Sequence, residues 1–288
     1  NKKYAEAVAV AATACADDTK GQTCYICTQA LHRKTKEGLV RMCACRGTAG
    51  FAHVSCLAEQ VKILFAEAEE NNLDINALNE RWMRWIKCSL CEQKYHGVVA
   101  CALGWACWKT HLGRPDRDQF RILAMVQLGN GLAHAARFEE QLRVLESTLS
   151  TQTRLGVIEE GILDTRDNLA SCYSSLGRDE EALTMRREVY ARSGQLSSTI
   201  PDDVMFLRVL NLAVSLRTTE RFTEAKSFLH EQLPKARRVL GEGHHTTLKM
   251  RWLYAETLNK DDGATLDDLR EAIATLEDAG RIAQRVFG

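Results

Sequence analysis

Eight side chains between residues 24 and 91 fall into four close pairs. Cys24 and Cys27 form a C-x2-C pair, Cys43 and Cys45 a C-x-C pair, His53 and Cys56 an H-x2-C pair, and Cys88 and Cys91 a second C-x2-C. Seven thiols and one imidazole at such spacings are the donors that Zn²⁺ prefers, and four fill a tetrahedral ion, so the set suffices for two. With every coordination position taken by protein, neither ion would keep a place for water or substrate. The zinc would be structural and no catalytic residue is expected. Thiolate is the ligand, so binding would release protons and drive folding of a stretch short of large apolar residues. His32 lies between the first two pairs without a spaced partner and reads as a surface residue.

Composition limits what such a centre could serve. The chain has 288 residues, with Lys plus Arg 38 and Asp plus Glu 38. A zero formal charge and the lack of a basic recognition helix argue against a nucleic-acid partner. Ten of the eleven cysteines precede residue 108. Tight pairs with a matching His, and no visible signal peptide, favour metal sites in a reducing compartment over disulfides, hence cytoplasm or nucleus. Asn1 rather than Met stands first, which leaves room for upstream sequence with its own targeting signal. The longest apolar run, 97–108, has about twelve residues where a membrane span needs about twenty. Cys101 and Cys107 in that run lack ligand spacing and read as core, as does Cys172.

The run Cys43-Ala-Cys45-Arg-Gly-Thr-Ala-Gly-Phe-Ala-His53-Val-Ser-Cys56-Leu makes a family resemblance specific. With Ile26 inside the first knuckle and Tyr95 four residues past Cys91, it resembles the RING-CH finger, a C4HC3 variant of the RING zinc finger. A PHD finger shares the ligand order but has a wider second pair and a shorter gap to its His. The resemblance covers about a quarter of the chain. It implies a cross-brace, with Cys24, Cys27, His53 and Cys56 on one Zn²⁺ and Cys43, Cys45, Cys88 and Cys91 on the other. It also implies a ubiquitin-conjugating enzyme as partner, with Ile26 and an aromatic such as Trp82 or Trp85 making the apolar contact. Two features depart from the family. The insert 57–85 is long and acidic, and Glu92 stands where active RING ligases often carry a basic residue.

The elements that must hold this centre read as helical. Three prolines in the whole chain suit a helical fold. Residues 1–20 read as a helix or tail, 21–96 as the finger, and 97–114 as an apolar connecting helix broken by Gly113-Arg-Pro115, with the next helix starting at Pro115 or Asp116. Residues 115–288 then repeat about every 42 residues: QLGNGLAHAARFEEQL (127–142), NLASCYSSLGRDEEAL (168–183) and NLAVSLRTTERFTEAK (211–226) align, and LYAETL (253–258) opens a fourth unit. Arg137, Arg178 and Arg221 recur beside the turn between paired helices. With LGEGHHTTL (240–248), these units resemble tetratricopeptide repeats of the kinesin-light-chain type, and that linker accounts for His244 and His245. The resemblance implies an α-solenoid whose groove holds a peptide or protein substrate.

The expected fold is therefore mainly α: a small cross-braced zinc finger followed by a solenoid of helix pairs. Two functions compete. One is a ubiquitin ligase that positions a charged conjugating enzyme while the repeats recruit substrate. The other is a non-enzymatic adaptor in which both parts only assemble a complex.

Overall fold

Helical periodicity governs most of the chain, and the computed structural model describes residues 2–196, 199–261 and 263–287. Among them are helices α1 (Lys2–Ala14), α2 (Val54–Glu70), α3 (Ile75–Trp82), α4 (Gly97–His111), α5 (Gln119–His134) and α6 (Phe138–Leu155). There follow α7 (Glu159–Ser175), α8 (Asp179–Gln195), α9 (Asp202–Thr218), α10 (Phe222–Leu240), α11 (His245–Lys260) and α12 (Leu266–Phe287). No strand forms among the described residues; the finger contributes only the isolated bridges Val40 with Ala52 and Lys87 with Lys94. No described helix is long and apolar enough to cross a membrane.

The chain divides into two compact units, Asn1–Leu155 and Gly156–Gly288. The first expected repeat pair, α5 with α6, thus belongs to the unit that carries the finger. The reason is α4, which is buried along nearly its whole length and packs on α1, α2 and α5. α4 and α5 meet almost backbone to backbone. A Cβ on Gly131 would lie 2.8 Å from the Ala100 carbonyl oxygen, and one on Gly104 would lie 3.1 Å from that of Gln127. α5 begins at Gln119 rather than near Pro115, because the Asp118 side chain accepts hydrogen bonds from the Phe120 and Arg121 amides and so caps it.

Metal does not have to replace a missing core in this unit. Ala7, Val8 and Ala11 of α1, Phe51, Val54, Leu57, Val61 and Phe65 of the finger, and Val99, Leu103 and Ala106 of α4 form one apolar cluster. The long insert closes onto it. Asn72, at φ 50°, turns the chain after α2, Asp74 caps α3 by accepting from the Ala77 amide, and a 3-10 turn at Met83–Trp85 follows. Trp82 and Phe65 then surround His111, with ring centroids 5.1 and 5.8 Å from it, and Trp85 stands at 6.1 Å.

The second unit stacks α7 to α12 in sequence, each helix on its predecessor. The inter-helix turns explain the repeat. Ala136, Gly177 and Glu220 occupy the left-handed region at φ 54°, 73° and 58°. The next residue's amide reaches back to a carbonyl in the preceding helix: Arg137 to Leu132, Arg178 to Tyr173 and Arg221 to Leu216 at 2.8–2.9 Å. These are Schellman closures, which satisfy the last carbonyls of a helix. Arg137 and Arg178 pair within their own turns, with Glu140 and Glu181, whereas Arg221 reaches back to Glu180 at the start of α8. His244 accepts from the Thr246 amide and caps α11, which accounts for it without a metal. Cys172 is buried, as are Cys101 and Cys107 of α4.

Candidate metal centre

The two C-x2-C knuckles share one backbone design. In the first, the Thr28 amide donates to the Cys24 carbonyl at 2.8 Å and the Cys24 amide to the Gln29 carbonyl at 3.0 Å. In the second, the Glu92 amide donates to the Cys88 carbonyl at 3.0 Å and the Cys88 amide to the Gln93 carbonyl at 2.9 Å. The residue after each second cysteine takes the left-handed conformation, Thr28 at φ 59° and Glu92 at φ 55°. The tight turn aims an amide at each first sulfur: Ile26 N–H donates to Cys24 Sγ at 3.4 Å, and Leu90 N–H to Cys88 Sγ at 3.5 Å. Such donors lower the charge that a thiolate must carry alone.

The H-x2-C pair uses a helix start instead. His53 is the cap residue before α2 and Cys56 lies in its first turn, so a three-residue step places both on one side. Glu37 holds that start by accepting from the Ser55 amide at 2.7 Å and the Ser55 hydroxyl at 2.8 Å. The C-x-C pair sits on an irregular loop closed by Gly50 (φ 84°), where a Cβ would lie 2.6 Å from Cys45 Cβ. Arg41 braces this loop. It donates to both Asp18 carboxylate oxygens (2.9 and 2.6 Å) and to the Gly47 carbonyl at 2.7 Å, and it covers the Phe51 ring at 4.1 Å.

These elements bring the eight side chains into two groups of four, Cys24, Cys27, His53 and Cys56, and Cys43, Cys45, Cys88 and Cys91. Within each, one donor atom per residue lies within 4.8 Å of the others. Tetrahedral zinc, with S at about 2.3 Å and N at about 2.0 Å, sets S···N near ~3.5 Å and S···S near ~3.8 Å. His53 Nδ1 lies 3.4 Å from Cys27 Sγ and 3.5 Å from Cys56 Sγ, and Cys45 Sγ lies 3.7 Å from Cys88 Sγ. The donor sets therefore fit the ion. Nδ1 is the nitrogen facing the sulfurs, while Nε2–H donates to the Ala30 carbonyl at 3.4 Å and fixes the ring. His32 stays out of the group and bonds Thr35 through its Nδ1 at 2.8 Å.

The electrostatics agree with the chemistry of the donors. Burial, and then the neighbouring thiols, push Cys45 up to about 11, and burial chiefly drives Cys43 and Cys56 upward. For Cys91 burial acts upward too, but hydrogen bonds from the Gln93 amide and from Cys45 outweigh it and bring it down to about 7. A crowd of thiols thus cannot ionise together without a cation between them. A divalent ion relieves that conflict.

The suggested partner contacts need correction. Trp82 and Trp85 are 7% and 1% exposed, packed inward on Phe65, His111 and Phe120, so neither offers a surface. Ile26 is half-buried. The apolar side chain that the sequence reading missed is Leu90, 51% exposed at the same place in the second knuckle as Ile26 in the first. That equivalence was the available signal. A hydrogen bond of 3.1 Å between Tyr25 Oη and Ser89 Oγ ties the two knuckles together. Glu92 is paired, accepting from Arg84 at 2.6 Å, so its carboxylate does not stand alone beside the second group.

Residues 24–93 match the RING-variant domain family. The chain carries a RING-variant domain. Residues 210–246 match the tetratricopeptide repeat family. No curated protein gives a significant match to the chain. Among solved structures, a putative kinesin light chain of Podosopora anserina with nearly identical TPR-like repeats aligns at TM-score 0.54 and 17% identity, covering 81% of this chain and 97% of that one. BtubC (BKLC) from P. vanneervenii aligns at TM-score 0.59 and 14% identity, covering 82% and 91%. At these identities the likeness concerns the fold, a solenoid of tetratricopeptide type.

Proposed function

We propose that this protein is a RING-type ubiquitin ligase acting in a reducing compartment, cytoplasm or nucleus. Its finger holds a ubiquitin-charged conjugating enzyme while the helical repeats bind a peptide or protein substrate. Cys24, Cys27, His53 and Cys56 hold one Zn²⁺, and Cys43, Cys45, Cys88 and Cys91 hold a second. Bound zinc supplies structure only, as a closed four-ligand cross-link that leaves no site for water. Catalysis is by positioning, since no side chain of the finger needs to form a bond.

One observation carries this reading: two knuckles of like geometry, bridged by Tyr25 and Ser89, each present an apolar side chain, Ile26 and Leu90. The Arg84–Glu92 pair beside the second knuckle supplies a guanidinium where the chain itself places an acid. The test is autoubiquitination by the zinc-loaded chain with a panel of conjugating enzymes. Activity is expected with some members and should be lost in Cys24→Ser. Ile26→Ala and Leu90→Ala should each weaken it about tenfold or more while zinc content is kept. A folded chain carrying two zinc ions yet inactive across the panel would refute the ligase. Glu92 favours the second reading, a non-enzymatic adaptor, and stable capture of a partner without conjugating-enzyme binding would support that instead.

A further inference from the structure

Among the described residues, two tryptophan N–H groups are buried without an acceptor, those of Trp85 and Trp105. Trp85 is sealed inside the finger's core. Trp105 instead lines a cleft of about 270 Å³ in the first unit. Met125, Leu128 and Leu132 of α5 line it together with Trp105 and Trp108 of α4, and residues of α6 complete it. Its lining is mainly apolar.

The rim carries an excess of positive charge. Glu140 is the one acid lining the cleft, and it is neutralised twice, by Lys3 and by Arg137. The Lys3–Glu140 bridge also ties α1 to α6 and bounds the opening. Arg121 stands 6.0 Å from the Trp108 ring and pairs with Asp116. Arg143, exposed at the rim, has no acidic partner among the described residues. An apolar hollow with a guanidinium at its rim that no acid pairs suits an apolar body ending in an acceptor of negative charge.

We propose that this cleft binds small apolar monocarboxylates. The body lies against Trp105, Trp108 and Leu128, and the carboxylate meets Arg143. At about 270 Å³ the cleft has room for an acid the size of octanoate. The site is independent of the finger's metal groups and of any ligase activity.

The experiment is isothermal titration of octanoate into the zinc-loaded full chain, with octan-1-ol and octylamine as neutral and cationic equivalents. Octanoate should bind at one site, about tenfold or more tighter than octanol, and octylamine should not bind. Arg143→Met, at an exposed position, should erase the preference for octanoate and spare octanol. Ser147→Trp, on the exposed rim, should fill the cleft and abolish both. Absence of saturable octanoate binding overturns the proposal. So does a preference that survives Arg143→Met, or binding that survives Ser147→Trp. Binding of an acidic phenylalanine-containing peptide with octanoate inert also overturns it, in favour of a protein ligand.

Discussion

Between Cys24 and Cys91 the buried polar groups are thiols and one imidazole aimed at two points. In the second unit they are arginines with acids and hydroxyls spread along a stack of helices. Arg186 is 7% exposed and donates to the Asn211 carbonyl, Ser215 Oγ and Ser171 Oγ at 2.7–3.0 Å, with Asp167 at 3.8 Å. Arg208 is 3% exposed and donates to Ser193 Oγ at 2.8 Å and to Asp164 at 2.6 Å. The finger's clustered thiols call for a cation the chain does not contain, whereas the second unit sets acids and hydroxyls of its own against Arg186 and Arg208. The ligand knuckles are thus the part expected to follow metal, beside a core that the finger shares with α1 and α4, and the second unit is expected not to.

The largest test of that contrast is metal removal. Structural zinc contributes about 10–16 kcal/mol per site to small fingers. A strong chelator should strip amide protection from the two knuckles, residues 24–29 and 88–93, in hydrogen exchange and leave that of 159–260 unchanged. Equal loss in both units would break the contrast. The next effect is in the second unit: Arg186→Met leaves Asp167 buried without its cation and should cost about 3–5 kcal/mol of that unit's stability. Zinc content should stay unchanged. Adding Asp167→Asn should recover most of the loss, and if it does not, the pair is not the source.

A smaller effect should appear at the α4–α5 contact. Gly131→Ala places a methyl against backbone that cannot rotate away and should cost about 1–3 kcal/mol by denaturant unfolding, with the second unit's exchange protection unaltered. The smallest is a difference of pH dependence. Burial holds the His111 imidazole below its ordinary value. A depressed His gives stability that is present above about pH 6.5 and lost as the pH falls below it, because the unfolded chain binds the proton more readily. Burial raises Asp167, so its contribution runs the other way and declines as pH rises through its folded value. At saturating zinc, His111→Phe should flatten the acid slope of the first unit, and Asp167→Asn should flatten the opposite slope of the second. Measured slopes of the same sign would refute this.

What could be read from the sequence follows the range of the forces. Knuckles, the H-x2-C step and the Schellman turns are local, and spacing alone reports them. Gly50 and Glu37 serve the second group and the start of α2 through contacts that no spacing rule encodes. Trp82 and Trp85 read as free aromatics because nothing nearby in sequence announces Phe65 and His111, which draw them inward. The start of α5 moved for a similar reason, since the Asp118 cap outcompeted the Pro115 signal. The helix 97–111 read as a connector because its apolar character has no preferred face, and that same character is what buries it among α1, α2 and α5.

The interleaving of ligands has a consequence for synthesis on the ribosome. The first group is complete at Cys56 and the second only at Cys91. At about 5–20 residues per second, the first site can close roughly two to seven seconds before the second cysteine pair of the other group exists. Cys43 and Cys45 wait in that interval as unpaired thiols, braced by Arg41 against Asp18, both already made. Thiol-alkylation of nascent chains stalled with Cys56 outside the ribosomal exit tunnel and Cys88 still within it should label those two cysteines and spare Cys24, Cys27 and Cys56. The order of metal loading would then be written into the order of translation.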